Sequence, residues 1–129
     1  MMSKEAKKSY VEEMKKNFTD NESVMIAQYQ GLNVNELDAL RKELREKGIL
    51  FKITKNRITK LALQKTRCKE LSDLFSGPTA VALSEDAITS AKILTKFSKE
   101  NSKLKILGGI MGSDILDVAG VQNVATLPT

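Results

Sequence analysis

Eight basic side chains follow one another between Glu46 and Glu70, and no acidic residue interrupts them. They are Lys47, Lys52, Lys55, Arg57, Lys60, Lys65, Arg67 and Lys69. The chain of 129 residues carries a formal net charge of only +5, and without these eight residues its acidic side chains would outnumber the basic ones. A localised positive patch is typical of a nucleic-acid contact surface, because each phosphate that it neutralises releases condensed counterions. The alternative is a lysine-rich face that is merely solvated.

The run is best suited to phosphate where a predicted strand meets a predicted helix. Residues 49–54 are typical of a short strand, and the apolar side chains at 58, 61 and 62 predict a helix that Asn56 caps. The first backbone N–H groups of a helix are unpaired and lie at its positive end. The junction between the two elements therefore favours an anion.

The side chains at this junction suit the contacts that a nucleic acid offers. Lys55 and Arg57 supply attraction and phosphate contacts, and Asn56 can hydrogen-bond ribose, phosphate or a base edge. We predict that these three residues form the centre of a nucleic-acid-binding surface. Lys52 on the strand and Lys60 on the helix belong to the same predicted surface.

Basic side chains outside the run would extend this surface. At ~100° per residue, Lys4 and Lys8 lie within ~40° of each other on the helix predicted over 4–18. The alternative is that their stems cover the apolar stripe beside them. Arg41 lies on the helix predicted over 34–47, where acidic neighbours make surface ion pairing the alternative.

The composition argues against an enzyme. The chain has no histidine, which removes the commonest general base near neutral pH and the commonest zinc ligand, and Cys68 is its single cysteine. The glycines of GGIMG at 108–112 lack the GK[ST] of a phosphate-binding loop. Adjacent carboxylates such as Glu12 and Glu13 point in different directions on a helix. We predict no catalytic residue, no cofactor and no metal site.

The sequence also bears on the cellular compartment. No apolar stretch approaches the roughly 20 residues that a membrane helix needs. The opening residues mix acid and base, where a signal peptide would be apolar. We therefore expect a cytoplasmic protein with no membrane partner.

Predicted strands and helices alternate along the chain. Strands are predicted over 24–29, 49–54, 80–83 and 104–107, and helices over 4–18, over 34–47, after Asn56 and after Asp86. The predicted fourth strand ends at Gly108 and Gly109, and the residues after it suggest short helical turns broken by Gly120. This order indicates a single α/β domain over 1–129. Its predicted architecture is a two-layer arrangement in which a mixed sheet of about four strands is flanked by helices.

The order of four segments resembles that in one protein family. They are AQYQGLNVNELDALRKELREKGILFKITKNRIT at 27–59, LFSGPTAVALSEDAITSAKILTKFSKEN at 74–101, LKILGG at 104–109 and the closing LPT. Individually they are weak signals, but in this order they are specific. Over nearly its whole length the chain resembles the bacterial ribosomal protein L-ten family, the large-subunit stalk-base proteins.

This resemblance implies a function without catalysis. It implies an N-terminal domain that binds the thiostrepton-loop region of large-subunit ribosomal RNA beside ribosomal protein L-eleven, and forms the base of the stalk that recruits translation factors. It also allows autogenous translational repression through the same surface. In that family the lysine and asparagine of the KN motif, here Lys55 and Asn56, belong to the RNA-facing region. So do basic residues at the start of the first helix, here among Lys4, Lys7 and Lys8.

The chain departs from the family pattern in three places. The family usually has arginine where this chain has Gln30, and threonine where it has Arg57, so the contacts at those positions are expected to differ. Bacterial members also continue past the LPS-like motif into a C-terminal helix that binds dimers of the acidic stalk protein. We expect stalk binding to be absent from residues 1–129.

Two other classes of function remain open at this point. A protein-interaction adaptor would use the basic surface to bind an acidic partner, with no preference for structured RNA. A small hydrolase would need a pocket that gathers carboxylates from distant segments.

Overall fold

The computed structural model describes residues 3–64, 66, 69–75, 77–112 and 114–127. Its α-helices are α1 (Lys4–Asp20), α2 (Val34–Glu46), α3 (Asn56–Leu63), α4 (Ala87–Glu100) and α5 (Val118–Ala125). Its strands are β1 (Ser23–Gln28), β2 (Leu50–Ile53), β3 (Thr79–Ser84), β4 (Lys105–Met111) and β5 (Asp114–Leu116), and a 3₁₀ helix spans Lys69–Leu74. The basic residues Lys65 and Arg67, and Cys68, lie outside the described residues.

The strands of the described residues form one sheet in the order β2-β3-β1-β4-β5, and every pairing between neighbours is antiparallel. Because β3 lies between β1 and β2, those two strands run parallel to each other, and α2 connects them. Likewise β1 lies between β3 and β4, which α4 connects. The chain therefore contains two interlocked split βαβ units, and β5 adds an edge strand.

Both faces of the sheet are covered by helices. Met25 and Ala27 of β1 face a core that includes residues of α2, α4 and α5. Val24 and Ile26 face the opposite core, to which α1, α3 and the 3₁₀ helix contribute. A strand that is buried on both faces has consecutive apolar residues rather than alternating ones, which explains the sequence of β1.

The predicted α/β class and single domain are confirmed, but three details differ. The sheet has five strands rather than about four, its neighbours are antiparallel rather than mixed, and the helices lie on two faces rather than in one layer. The additional strand, β5, has only three residues, and its pairing with β4 forms an edge of the sheet. Three residues are too few for a period-two pattern to be recognised.

Glycines at two places were wrongly predicted to end or interrupt an element. β4 continues through Gly108 and Gly109 to Met111 instead of ending at them. A Cβ atom on Gly109 would lie 2.5 Å from the carbonyl oxygen of Val24, so this glycine permits close approach of β1. Gly120 lies inside α5 instead of interrupting it.

Side chains cap the starts of α1 and α2. The Ser3 hydroxyl accepts a hydrogen bond from the Ala6 N–H at 3.1 Å. Asn33 and Glu36 form a reciprocal capping box at α2, with distances of 2.8 and 3.1 Å. None of the described helices combines the length and apolar composition that crossing a membrane requires.

A first prediction concerns the core beneath α2. Leu40 has no exposed surface, so Leu40→Ala should lower the free energy of unfolding by about 2 to 5 kcal/mol, because it removes buried methyl groups and leaves a cavity. Urea denaturation measures this loss. Val34→Ala on the same helix is the control, since Val34 is 73% exposed. A loss no larger than that of the control would contradict the packing described here.

A second prediction concerns the start of α4. The Asp86 carboxylate accepts hydrogen bonds from the Thr89 hydroxyl at 2.6 Å and the Thr89 N–H at 3.1 Å. These bonds, first that from the hydroxyl, lower the pKa of Asp86 from its ordinary value of 3.8. Asp86→Ala should therefore lower the free energy of unfolding at pH 7 by about 1 kcal/mol.

The pH dependence of this loss follows from the direction of the shift. Since the pKa of Asp86 is lower in the folded state, its charged form stabilises the fold above the unfolded-state pKa, and this stabilisation disappears as the pH falls through the folded-state pKa. Urea denaturation at pH 7 and in acid measures this effect. The difference in free energy of unfolding between the variant and the original protein should be smaller in acid. Glu85→Ala, at the exposed neighbouring position, is the matched control.

Candidate nucleic-acid interface

The start of α3 is tied to α1 by one tyrosine. The hydroxyl oxygen of Tyr10 accepts a hydrogen bond from the backbone N–H of Lys55 at 3.0 Å, and the same hydroxyl is hydrogen-bonded to Thr59 at 2.8 Å. The Lys55 ammonium group lies 5.9 Å from the centre of the Tyr10 ring, within the range of a cation–π interaction. The residue before α3 and its first turn are therefore fixed against α1.

The side chain of Asn56 does not cap α3 but connects two strands. Lys55 is the N-cap position and Asn56 is the first residue of the helix, so the prediction that Asn56 caps α3 is wrong. Its amide oxygen accepts hydrogen bonds from the hydroxyls of Thr54 at 3.2 Å and Thr79 at 2.5 Å, and its amide nitrogen donates to the Gly77 carbonyl at 2.7 Å. The amide thus joins the end of β2 to the start of β3, with one N–H left for an external partner.

The start of α3 also differs from the starts of the other described helices. The first N–H groups of α1, α2, α4 and α5 each receive a side-chain cap, from Ser3, Asn33, Asp86 and Asp117 respectively. α3 has no side-chain cap and no acidic residue in its first turn. Its positive end is therefore available to an external anion.

Three cations surround this uncapped helix start. Lys55 and Arg57 are exposed, and Lys60, one turn further along α3, is half-buried. None of the three belongs to an ion pair found within the described part of the chain. We call Lys55, Arg57 and Lys60, together with the start of α3, the α3 surface.

The predicted apolar stripe of α3 was partly wrong. Leu61 is 63% exposed, whereas Thr59, Ala62 and Leu63 are buried. Thr59 can lie on the buried side because its hydroxyl is hydrogen-bonded to the hydroxyl of Tyr10. Leu61 consequently lies on the exposed side of the helix, next to Lys60.

The other predicted cation of the run, Lys52, is partly neutralised. It pairs with Val81 in the sheet, and its ammonium group forms an ion pair and hydrogen bond with the Glu13 carboxylate of α1. Its side chain is 27% exposed. An incoming phosphate would therefore compete with Glu13 for the charge of Lys52.

The lysines of α1 lie at different angles around the helix. All three that were predicted to bind RNA, Lys4, Lys7 and Lys8, are exposed. Lys7 lies one turn before Tyr10, ~4.5 Å along the axis and ~60° around it, and is therefore the member closest in angle to Tyr10. Lys4 and Lys8 lie ~120° to ~160° from Tyr10, so the helix does not direct them to the same side.

Arg41 is separated from the α3 surface. It lies on α2, which packs on the opposite face of the sheet, and its guanidinium group is 4.0 Å from the Asp38 carboxylate. With Arg45 it lines a groove against residues 49–51 at the edge strand β2. Arg41 therefore lies apart from the predicted RNA-binding residues of α3, although the same prediction included it.

Three residues that hold the α3 surface in place are not among the predicted site residues. They are Tyr10, Thr54 and Thr79, whose hydroxyl groups contact Lys55, Asn56 or Thr59 at the start of α3. A tyrosine within an apolar stripe was the available signal, because its hydroxyl needs a partner when the ring is buried. The bond between Asn56 and Thr79 spans 23 residues and left no local signal. In the part of the chain that the structure describes, no cluster of carboxylates or thiols suits a metal ion.

Comparisons with known proteins identify the family of this chain. A family described as Ribosomal protein L10 matches residues 2–99. The large ribosomal subunit protein uL10 of Pelagibacter ubique is 63% identical over 128 residues, which cover 99% of this chain and 77% of that protein. The protein of the same name from Rhodospirillum rubrum is 44% identical over 128 residues, or 99% of this chain and 74% of the relative. The chain belongs to the ribosomal protein L10 family, whose members are non-enzymatic components of the large ribosomal subunit in the cytoplasm.

Proposed function

We propose that this protein binds large-subunit ribosomal RNA through the α3 surface. The observation that carries the proposal is the uncapped start of α3, at which Lys55, Arg57 and Lys60 remain free of ion pairs within the described residues. Positive charge, unpaired N–H groups and the helix dipole favour the same ligand, a phosphate group.

Each residue has a distinct part in the proposed contact. Arg57 supplies a planar guanidinium that binds phosphate oxygens in pairs, and Lys55 and Lys60 supply single ammonium charges. Tyr10 fixes the backbone from which Lys55 extends. Asn56 keeps the helix start in position and presents its remaining N–H, so its contribution is largely to geometry.

The finer assignment rests on the resemblance to the family. We propose that the RNA is the thiostrepton-loop region, that ribosomal protein L-eleven is the neighbour, and that the protein forms the base of the stalk. The same surface would bind messenger RNA in autogenous repression. An adaptor for an acidic protein is the alternative, but none of the large hydrophobic side chains exposed among the described residues is aromatic. Protein interfaces are enriched in aromatic residues at their centres.

The direct experiment compares two RNAs. Binding to the folded thiostrepton-loop RNA and to a scrambled RNA of equal length is measured across a salt series. Tight binding to the folded RNA alone supports the proposal. Equal and weak binding to both would favour the adaptor, which competition with an acidic protein would then test.

A third prediction concerns the cations of the α3 surface. Lys55→Ala and Arg57→Ala should each weaken binding to the thiostrepton-loop RNA and reduce the slope of log K against log salt by about one. Neither should change the thermal midpoint appreciably, since both side chains are exposed. Lys16→Ala, at an exposed position on α1, is the control for loss of one positive charge. Slopes equal to that of the control would place the contact elsewhere.

A fourth prediction separates Asn56 from its neighbours. Asn56→Ala should lower the free energy of unfolding by about 1 to 3 kcal/mol, because it removes the partners of Thr79 and Gly77. RNA affinity should fall with it, whereas Lys55→Ala should affect affinity alone. Urea denaturation and RNA binding are measured on the same samples, with the exposed Asn35→Ala as control. Weaker binding by Asn56→Ala at unchanged stability would show a direct contact and contradict the structural role.

A further inference from the structure

A second basic surface lies between α4 and α5. A groove of about 460 Å³ separates the two helices, and its walls carry Lys92, Lys96 and Lys99 from α4 and Gln122 and Asn123 from α5. The three lysines fall within ~60° of one another around α4. None of the described residues that line the groove is acidic. The groove therefore presents positive charge along one side and amide groups along the other.

The charge of these lysines is not used within the described structure. Lys96 and Lys99 are exposed and Lys92 is half-buried. Among the ion pairs between described residues, none includes any of the three. Glu100, the acidic residue that ends α4, does not line the groove. The lysines are consequently available to an external anion.

A buried hydroxyl in the groove gives an independent indication of a ligand. Thr95 lines the groove and is only 8% exposed. Its Oγ1 atom has no hydrogen-bond partner in the described part of the chain. Buried polar atoms are nearly always paired, and an unpaired one is costly. Because this atom has almost no accessible surface, an acceptor oxygen held by the neighbouring lysines would provide the missing partner once the side chain turns towards the groove.

The composition of the groove favours RNA over a protein. Lysine is depleted in the centres of protein interfaces, where aromatic residues, methionine and arginine are enriched. The described lining contains lysines, amides and hydroxyls, and Ala125 is its apolar member. Ammonium groups bind phosphate, and amide side chains hydrogen-bond base edges or ribose. Packed helix axes lie roughly 8–10 Å apart, so such a groove admits a single strand more readily than a duplex.

We propose that the α4/α5 groove is a second RNA contact, which binds the backbone of a single-stranded segment. α4 and α5 cover one face of the sheet, whereas α1 and α3 cover the other. The protein would therefore hold two RNA segments on opposite faces. The inference rests on the proposed function for the class of ligand, RNA, but it concerns a different surface.

The test uses a defined probe, a single strand of ten uridines. It is titrated into the isotopically labelled chain carrying Lys55→Ala and Arg57→Ala, so that binding at the α3 surface is suppressed. We expect the backbone amide signals of residues 92–99 and 122–126 to shift with added probe. Shifts confined to α1 and α3, or none at any probe concentration, would overturn the proposal.

Charge-removal variants then test the lysines. In the same background, replacing Lys92, Lys96 and Lys99 by Gln should reduce the slope of log K against log salt by about 2, because each single-strand phosphate contact contributes about 0.7. The control replaces three exposed lysines, Lys16, Lys42 and Lys47, by Gln with the same loss of charge. Equal effects of the two triple variants would show that the groove lysines act only through general charge attraction, which would overturn the proposal.

Thr95→Val tests the hydroxyl without changing the shape of the side chain. Probe affinity should fall about threefold or more, the effect of one lost hydrogen bond, while the thermal midpoint stays unchanged or rises. Unchanged affinity would show that the Thr95 hydroxyl does not contact the ligand and would overturn the proposal. Tighter binding of a peptide of ten glutamates at the same amides would assign the groove to an acidic protein instead.

These outcomes are separable from those for the proposed function. Failure of the groove variants to affect the uridine probe, with Lys55→Ala still weakening the thiostrepton-loop RNA, would reject only the second contact. The reverse result would reject the α3 surface and leave the groove as an RNA site.

Discussion

The fold depends on the burial of both faces of its central strands. β1 and β3 lie inside the sheet, and every residue of β3 is buried, as are five of the six residues of β1. Neither face can remain in water, so helices must cover both. The split βαβ units supply α2 and α4 on one face, while the segments before β1 and between β2 and β3 supply α1 and α3 on the other. Basic side chains are consequently found on the outer sides of helices on opposite faces.

α3 shows how a short helix becomes a fixed platform. Its eight residues are too few for stability in isolation. Packing of Ala62 and Leu63 holds its inner side, and the polar contacts of Tyr10 and Asn56 hold its start. The helix start can therefore remain without a side-chain cap. A fixed backbone also reduces the conformational entropy that a bound ligand would otherwise cost.

Local patterns predicted the parts of the fold that local interactions determine. The stripe of α1 and the apolar run of β1 both depend on residues close in sequence, and the structure contains them. The role of Asn56 could not be predicted in this way, because its partner Thr79 is brought near by pairing of β2 with β3. Gly109 was misread as a strand end for the same reason, since the neighbour that requires glycine is Val24. The separation of Arg41 from Lys55 likewise depends on which face each helix covers.

Counting basic residues overestimates the charge available to RNA. Lys52 is held by Glu13, and Arg41 lies near Asp38, so a phosphate would displace an existing partner at either position. Breaking an exposed ion pair costs only about 0 to 1 kcal/mol, and this cost is subtracted from what the phosphate contact contributes to affinity. Lys55, Arg57 and Lys60 have no such competition from the described acidic residues. Ion pairing within the fold, and not only the density of lysine in the sequence, therefore affects how much each cation can contribute to affinity.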